Sequence, residues 1–298
     1  MAVLRSMLFA PGNHARRVEK ALSGDADAVI LDLEDACPTA EKIATRTVVV
    51  EALKSHRPAG PLGYVRINAL TTEFAYGDFL AVARAHVDGI MLTKVESADQ
   101  LRTADWLLTQ LERERALPAG RIDLLPLVET AKGFAAVGEI ARACKRVRRL
   151  AFGAGDFTTD MGITWSSGEL ELLKFRSDLV LASRAAQLEP PIDLAWISLQ
   201  DPRGFEESVR WGRVLGFQGK LCIHPDQVAP INTAFTPSEA QMAKARRVIE
   251  AFRQAEERGS AAIQVDGMLV DYPIVYQAQR VLDIAERIRS RTVHAGGV

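Results

Sequence analysis

Cysteine is scarce in this chain. Cys37, Cys144 and Cys222 are the only three, they lie far apart, and they form no CxxC pair or zinc-ligand spacing. A disulfide framework or a structural zinc site is therefore not expected, and a cytoplasmic location is the default expectation. An excess of charge is missing too: 37 Lys and Arg stand against 38 Asp and Glu, for a net charge of −1. Nucleic-acid binding normally needs a strongly basic face, so no nucleic-acid partner is expected. No apolar run approaches the roughly 18 residues of a membrane span, so no membrane partner is expected either. The opening stretch MAVLRSMLFAPGNH has one short apolar run and no cleavage-site pattern, so it does not read as a signal peptide. Neither GxGxxG after a strand nor GxxxxGK[ST] occurs, which argues against a doubly wound nucleotide-binding sheet.

What is present suffices for a large core. Of 298 residues, 48% are hydrophobic and 25% charged, a globular composition that excludes disorder as the main state. Short apolar runs alternate with longer amphipathic segments. The runs expected as strands are Met7–Ala10, Ala28–Leu33, Tyr64–Ile67, Gly89–Thr93, Asp123–Val128, Leu150–Gly153, Leu194–Leu199 and Lys220–Ile223. Their period of roughly 25–35 residues is that of βα units. They are continuous rather than alternating, as parallel strands covered on both faces are. Segments 97–116, 168–187 and 205–215 read as helices, the first with apolar residues at Leu101, Ala104, Leu107, Leu108 and Leu111. Ser97 to Gln100 has the pattern of a capping box. Eight such units point to an α/β fold, a closed TIM (β/α)8 barrel, over residues 1–225. Residues 226–298 then form a C-terminal helical extension: a charged helix over 237–259, a turn-rich stretch AAIQVDGMLVDYP, and a last helix over 274–291. A barrel does not need this tail, which is either packing or a lid.

Barrel chemistry collects at the C-terminal strand ends. Here those ends carry Asn13, Asp32-Leu-Glu-Asp35, Arg66-Ile-Asn68, Thr93-Lys94, Glu129, Asp156 and His224. Glu129 and Asp156 end consecutive strands, which places two carboxylates side by side. That pair suits a hard divalent cation such as Mg²⁺; alternatively, each carboxylate caps the helix that follows it. Arg66 sits in the otherwise apolar YVRIN. It could hold an anionic substrate or an oxyanion, or form a salt bridge to Glu34 or Asp35. His224, before proline, reads first as a satisfied structural group and only second as a base. Cys222 is expected to be buried core in strand eight.

The motifs RSMLFAPGN, LDLEDA, YVRINAL, LPLVETAKG, GAGDFTTDMG, GKLCIHPDQV and DGMLVDYP occur in the order found in one family. Across essentially its whole length the chain resembles CitE-like members of the HpcH/HpaI aldolase and citrate lyase superfamily. That group includes the citrate lyase β subunit, malyl-CoA lyase and citramalyl-CoA lyase. The resemblance implies a TIM barrel, Mg²⁺ dependence and carbon–carbon cleavage of a 3-hydroxyacyl-CoA thioester to acetyl-CoA and a 2-oxo acid. It also implies metal carboxylates at Glu129 and Asp156, a substrate-binding arginine at Arg66, and acids near the metal's waters at Glu34 and Asp35. A C-terminal aspartate, Asp271, is implied as a proton carrier in a mobile segment that often completes a neighbouring subunit's site, hence a homotrimer or hexamer. Arg17 and Lys20 match positions near the coenzyme A or substrate entrance. The tail departs at Met268, where family members usually have Lys. Met268, Leu269, Val270 and Tyr272 would make an apolar lid that raises the pKa of Asp271. Three other enzymatic readings remain on the same scaffold: a citrate lyase β subunit acting on a carrier-protein thioester, an aldolase for free 2-oxo acids, and a malyl-CoA thioesterase. GAGDF favours a free-standing CoA enzyme, because β subunits more often read AFDY there. A non-catalytic barrel is disfavoured by the retention of Arg66, Glu129, Asp156 and Asp271.

Overall fold

The computed structural model describes residues 3–55 and 60–296, the last six of these in backbone only. Eight parallel strands close into a barrel in sequence order, and β1 pairs with β8 to seal it. They are β1 (Ser6–Pro11), β2 (Ala28–Asp32), β3 (Leu62–Ile67), β4 (Gly89–Leu92), β5 (Asp123–Val128), β6 (Ala151–Phe152), β7 (Ile192–Asp193) and β8 (Gly219–Cys222). Every residue of β2 and β5 is buried, because helices cover the sheet outside while side chains fill it inside. Cys222 is fully buried in β8, as expected.

The helices follow their sequence signals. Ala98–Glu114 starts at Ser97, whose side chain accepts from the Gln100 amide while Gln100 returns the bond, a complete capping box. Leu101, Ala104, Leu108 and Leu111 form its buried stripe.

The seventh strand lies earlier than the apolar run 194–199 suggests. Ile192 pairs with Gly219 and Asp193 with Lys220, and the ladder ends there. Charge, not an apolar run, marks this strand: buried Asp193 accepts from Lys220 Nζ at 2.9 Å and from Arg176 Nε at 3.0 Å. Beyond it the chain turns away. Gln227 Nε2 donates to the Trp196 carbonyl at 2.8 Å, and Ile197 and Leu199 stand exposed.

Two compact units divide the chain: Leu4–Asn232, which holds the barrel, and Thr233–Val298 with residues 1–3. The second unit contains the helices Glu239–Glu256 and Tyr272–Gly296, joined through a hairpin of β9 (Ile263–Val265) and β10 (Met268–Val270). The stretch expected to be merely turn-rich is thus a β-hairpin. Its two-residue turn, Asp266-Gly267, has positive φ at both positions (49° and 79°), the conformation that Asp-Gly favours and that matches strand twist. Val270 is fully buried with Ala245, Val248, Phe252 and Ala278 in this unit's own core. Among the described residues no helix is long and apolar enough to cross a membrane.

Candidate active site

The C-terminal mouth of the barrel holds a cavity of about 630 Å³. Leu8, Leu127, Phe152, Ala195 and Leu221 give it an apolar wall, and Asp32, Arg66, Glu129 and Asp156 give it a charged one. Strand register explains the charged wall. Asp32 and Arg66 are partners across β2 and β3. Arg66 donates to both oxygens of Asp32, Nε at 2.8 Å and Nη2 at 2.5 Å, and its Nη1 lies 3.1 Å from Glu34. The guanidinium also stacks 4.9 Å from the Phe9 ring. Burial works against this cation, but Asp32 and Glu34 more than compensate and raise its pKa, so it stays charged. The salt bridge expected to Glu34 or Asp35 therefore exists, with Asp32 as the main partner.

Glu129 follows β5 and is buried. Its Oε1 accepts from the Lys94 amide at 2.7 Å, and its far side touches Gly153, where a Cβ would lie 2.3 Å from Oε2. Asp156 sits in the first turn of the helix Ala154–Met161, which follows β6. Neither carboxylate caps its own helix. Thr130 caps Ala131–Ala135 by accepting from the Gly133 amide, and Gly153 occupies the cap of Ala154–Met161. Burial and the neighbouring Asp156 push Glu129 up to about 8, against the pull of Arg66 and Lys94. A further positive charge nearby would relieve that cost.

Glu34 is buried, and burial raises its pKa against Arg66 and Lys94. Asp35 is more exposed; burial also works to raise it, but hydrogen bonding to Glu34 and the charges of Arg66 and Lys94 prevail and lower it. Lys94 Nζ lies 2.5 Å from Glu34, 3.8 Å from Asp35 and 3.6 Å from Asp156. Burial opposes its charge as well, yet the Glu34 contact wins and raises its pKa. Among the described residues no three His, Cys, Asp or Glu side chains converge as a metal cage. A cation here would rest on Glu129 and Asp156 and complete its shell with water and substrate, which is how Mg²⁺ is commonly held. The donors are carboxylate oxygens, and the carboxylates of this cluster outnumber the bases touching them. The residues present fit a hard divalent cation.

Arg17 and Lys20, on the helix Ala15–Leu22, line the same cavity and add positive charge to it. His224 lines it too, but its Nδ1 accepts from the Asp226 amide at 3.3 Å as the cap of a short helical turn. Asp271 belongs to the second unit. Its Oδ1 accepts from the Ile274 amide at 3.4 Å, which caps the helix Tyr272–Gly296. Met268, Leu269 and Tyr272 are exposed; Met268 Sδ meets Lys244 Nζ at 3.4 Å and Tyr272 donates to Glu256 at 2.7 Å. The roles of three members of the barrel site escaped sequence reasoning. Asp32 and Lys94 were visible as strand-end charges, but their partners follow only from register. Gly153 gave no signal beyond its place three residues before Asp156.

The HpcH/HpaI aldolase/citrate lyase pattern matches residues 5–225. The chain belongs to that family. The HpcH/HpaI match spans all eight strands of the barrel. Among relatives, citrate lyase subunit beta from Leuconostoc mesenteroides subsp. cremoris is 37% identical over 281 residues, covering 94% of this chain and 93% of that protein. A (3S)-malyl-CoA thioesterase from Cereibacter sphaeroides is 33% identical over 284 residues, 95% of each. Among solved structures, protein CitE from Mycobacterium tuberculosis in complex with magnesium, acetoacetate and coenzyme A superposes with a TM-score of 0.77 at 32% identity, covering 96% of this chain and 99% of that one.

Proposed function

We propose that this protein is a Mg²⁺-dependent carbon–carbon lyase that cleaves a 3-hydroxyacyl-CoA thioester of malyl-CoA or citramalyl-CoA type into acetyl-CoA and a 2-oxo acid. The observation that carries the reading is the pairing of Glu129 with Asp156 at the cavity wall, with Arg66 held rigidly beside them. Glu129 and Asp156 would hold Mg²⁺; the CitE complex contains magnesium. A bound Mg²⁺ would supply Lewis acidity that eases transfer of the substrate hydroxyl proton to water.

The chain's own residues do the rest. Asp32 grips Arg66 by two hydrogen bonds and Glu34 lies 3.1 Å from its Nη1, which fixes the guanidinium in the cavity lining and leaves its unshared N–H groups for substrate. They would stabilise the thioester enolate oxygen as charge develops; removing one such donor typically costs on the order of 10²–10³ in kcat. Asp271 of the C-terminal unit would give a proton to the enolate carbon in cleavage, and take one in condensation. The family resemblance supplies this role, including delivery from a neighbouring subunit in a homo-oligomer. Arg17 and Lys20, which line the cavity, would meet the phosphates of coenzyme A; the CitE complex contains that coenzyme.

The apolar wall of Leu127, Phe152, Ala195 and Leu221 favours a hydrogen or methyl substituent over the extra carboxylate of a citryl substrate. A panel of malyl-, citramalyl- and citryl-CoA with Mg²⁺, read for acetyl-CoA, glyoxylate, pyruvate, oxaloacetate and free CoA, tests the proposal. Acetyl-CoA with glyoxylate or pyruvate is expected. Free CoA without acetyl-CoA would instead make the protein a thioesterase, like its Cereibacter relative.

A further inference from the structure

Lys94 is engaged at both ends. It follows buried Thr93 at the end of β4 with φ of 49°, a left-handed backbone in a residue that is not glycine. Such a conformation is strained and persists where its surroundings over-determine it. Two sets of contacts do so here. The main-chain N–H points at Glu129 Oε1, 2.7 Å away. The side chain leaves in the direction that brings Nζ to Glu34 at 2.5 Å and within 4 Å of both Asp35 and Asp156. One residue thus joins the ends of β2, β5 and β6 from the end of β4. A right-handed or extended backbone would send the amide and the ammonium elsewhere relative to each other.

The ammonium also has an electrostatic consequence. It lies 3.6 Å from the Asp156 carboxylate, so it competes for the field that attracts a divalent cation. At the same time it holds Glu34 and Asp35 in place.

We propose that Lys94 is a positioning residue of the carboxylate cluster: its main chain orients Glu129, its ammonium gathers Glu34, Asp35 and Asp156, and that positive charge tempers the cluster's affinity for a divalent cation. This rests on Glu129 and Asp156 being the cation-holding pair. Lys94 would act through the acids it meets, Glu34, Asp35 and Asp156. It keeps cation binding from becoming too tight while it keeps the acids in register.

Lys94→Met retains the amide and the chain length and removes the charge. The test is calorimetric titration of MgCl₂ into the intact protein without thioester, followed by turnover of the 3-hydroxyacyl-CoA substrate at saturating Mg²⁺. Lys94→Met is expected to bind Mg²⁺ about tenfold more tightly, a gain of about 1.4 kcal/mol, yet to turn over at least tenfold more slowly with KM little changed. Lys94→Arg, which restores the charge, is expected to return Mg²⁺ affinity to the wild-type value. Tighter binding with slower turnover is a split that a loosened fold does not produce. Should Lys94→Met fold poorly, Lys94→Gln gives the same two readings. Unchanged or weaker Mg²⁺ affinity in the neutral variants, or wild-type turnover in them, overturns the proposal while leaving the lyase reading intact. Failure of the wild-type protein to bind Mg²⁺ overturns both.

Discussion

Gly153 has no side chain because Glu129 occupies the space one would need. Gly153→Ala must displace a buried carboxylate wedged between the Lys94 amide and the end of β6. A shift of about 1 Å in such a group can cost on the order of 10² in rate, so cleavage is expected to fall about a hundredfold while the circular dichroism spectrum is kept. Asp271 offers a second test of one residue. It caps a helix in the structure, and the lyase reading gives it a proton to carry. Asn caps about as well as Asp, whereas Ala costs about 1 kcal/mol. Asp271→Asn is thus expected to melt like wild type but lose turnover, and Asp271→Ala to lose both. Normal turnover in Asp271→Asn would leave the residue a helix cap only. The carboxylates and Arg66 were legible in the sequence because charge at the end of an apolar run is conspicuous. Gly153 and the Asp32–Arg66 fork were not, because they depend on which residues the register sets opposite each other.

Among the elements, β7 is the instructive case. The sequence pattern suggests a strand over 194–199; the strand that pairs is Ile192–Asp193, and its anchor is ionic. Asp193 is buried between Lys220 and Arg176, and Arg176 in turn holds Glu169 at 2.8 Å. Burial alone would raise the Asp193 pKa, but Lys220 and Arg176 prevail and lower it. Asp193→Asn would strand two buried cations on one remaining acid. Breaking a buried pair in this way costs about 3–5 kcal/mol, to be read as a fall in the urea midpoint. Apolar periodicity could not reveal this strand, since what fixes it is a set of charges drawn from three separate segments. The helix at 98–114 was legible to its first residue because a capping box is local in sequence. The hairpin of β9 and β10 carried its signal in Asp266-Gly267, which the turn-rich reading registered only as a turn.

At the scale of the molecule, the near balance of acid and base conceals concentrated charge. Buried Glu112 receives Arg146 through both oxygens, at 2.7 and 2.9 Å, and the amides of Gly120 and Ile122 besides. Burial works to raise its pKa, yet the Arg146 and amide hydrogen bonds prevail and hold it below the ordinary glutamate value. A depressed carboxylate stabilises the fold above its unfolded pKa, and that contribution fades as pH falls through its folded pKa. Stability is therefore expected to drop below about pH 4.5. Glu112→Gln is expected to be less stable at pH 7 by about 3 kcal/mol and to show a shallower acid decline. An equally steep decline would assign it to other groups. The eightfold alternation made the barrel legible, since each βα unit announces itself locally.

The same eight strands make a rim, and the central claim concerns two carboxylates on it. The most direct measurement is release of glyoxylate or pyruvate from malyl- or citramalyl-CoA by wild type, Glu129→Gln and Asp156→Asn, with and without Mg²⁺. Wild type is expected to release the 2-oxo acid only with Mg²⁺, and both variants to lose at least a hundredfold in rate while folding normally. Full activity in either variant, or Mg²⁺-independent cleavage by the wild type, would contradict the account.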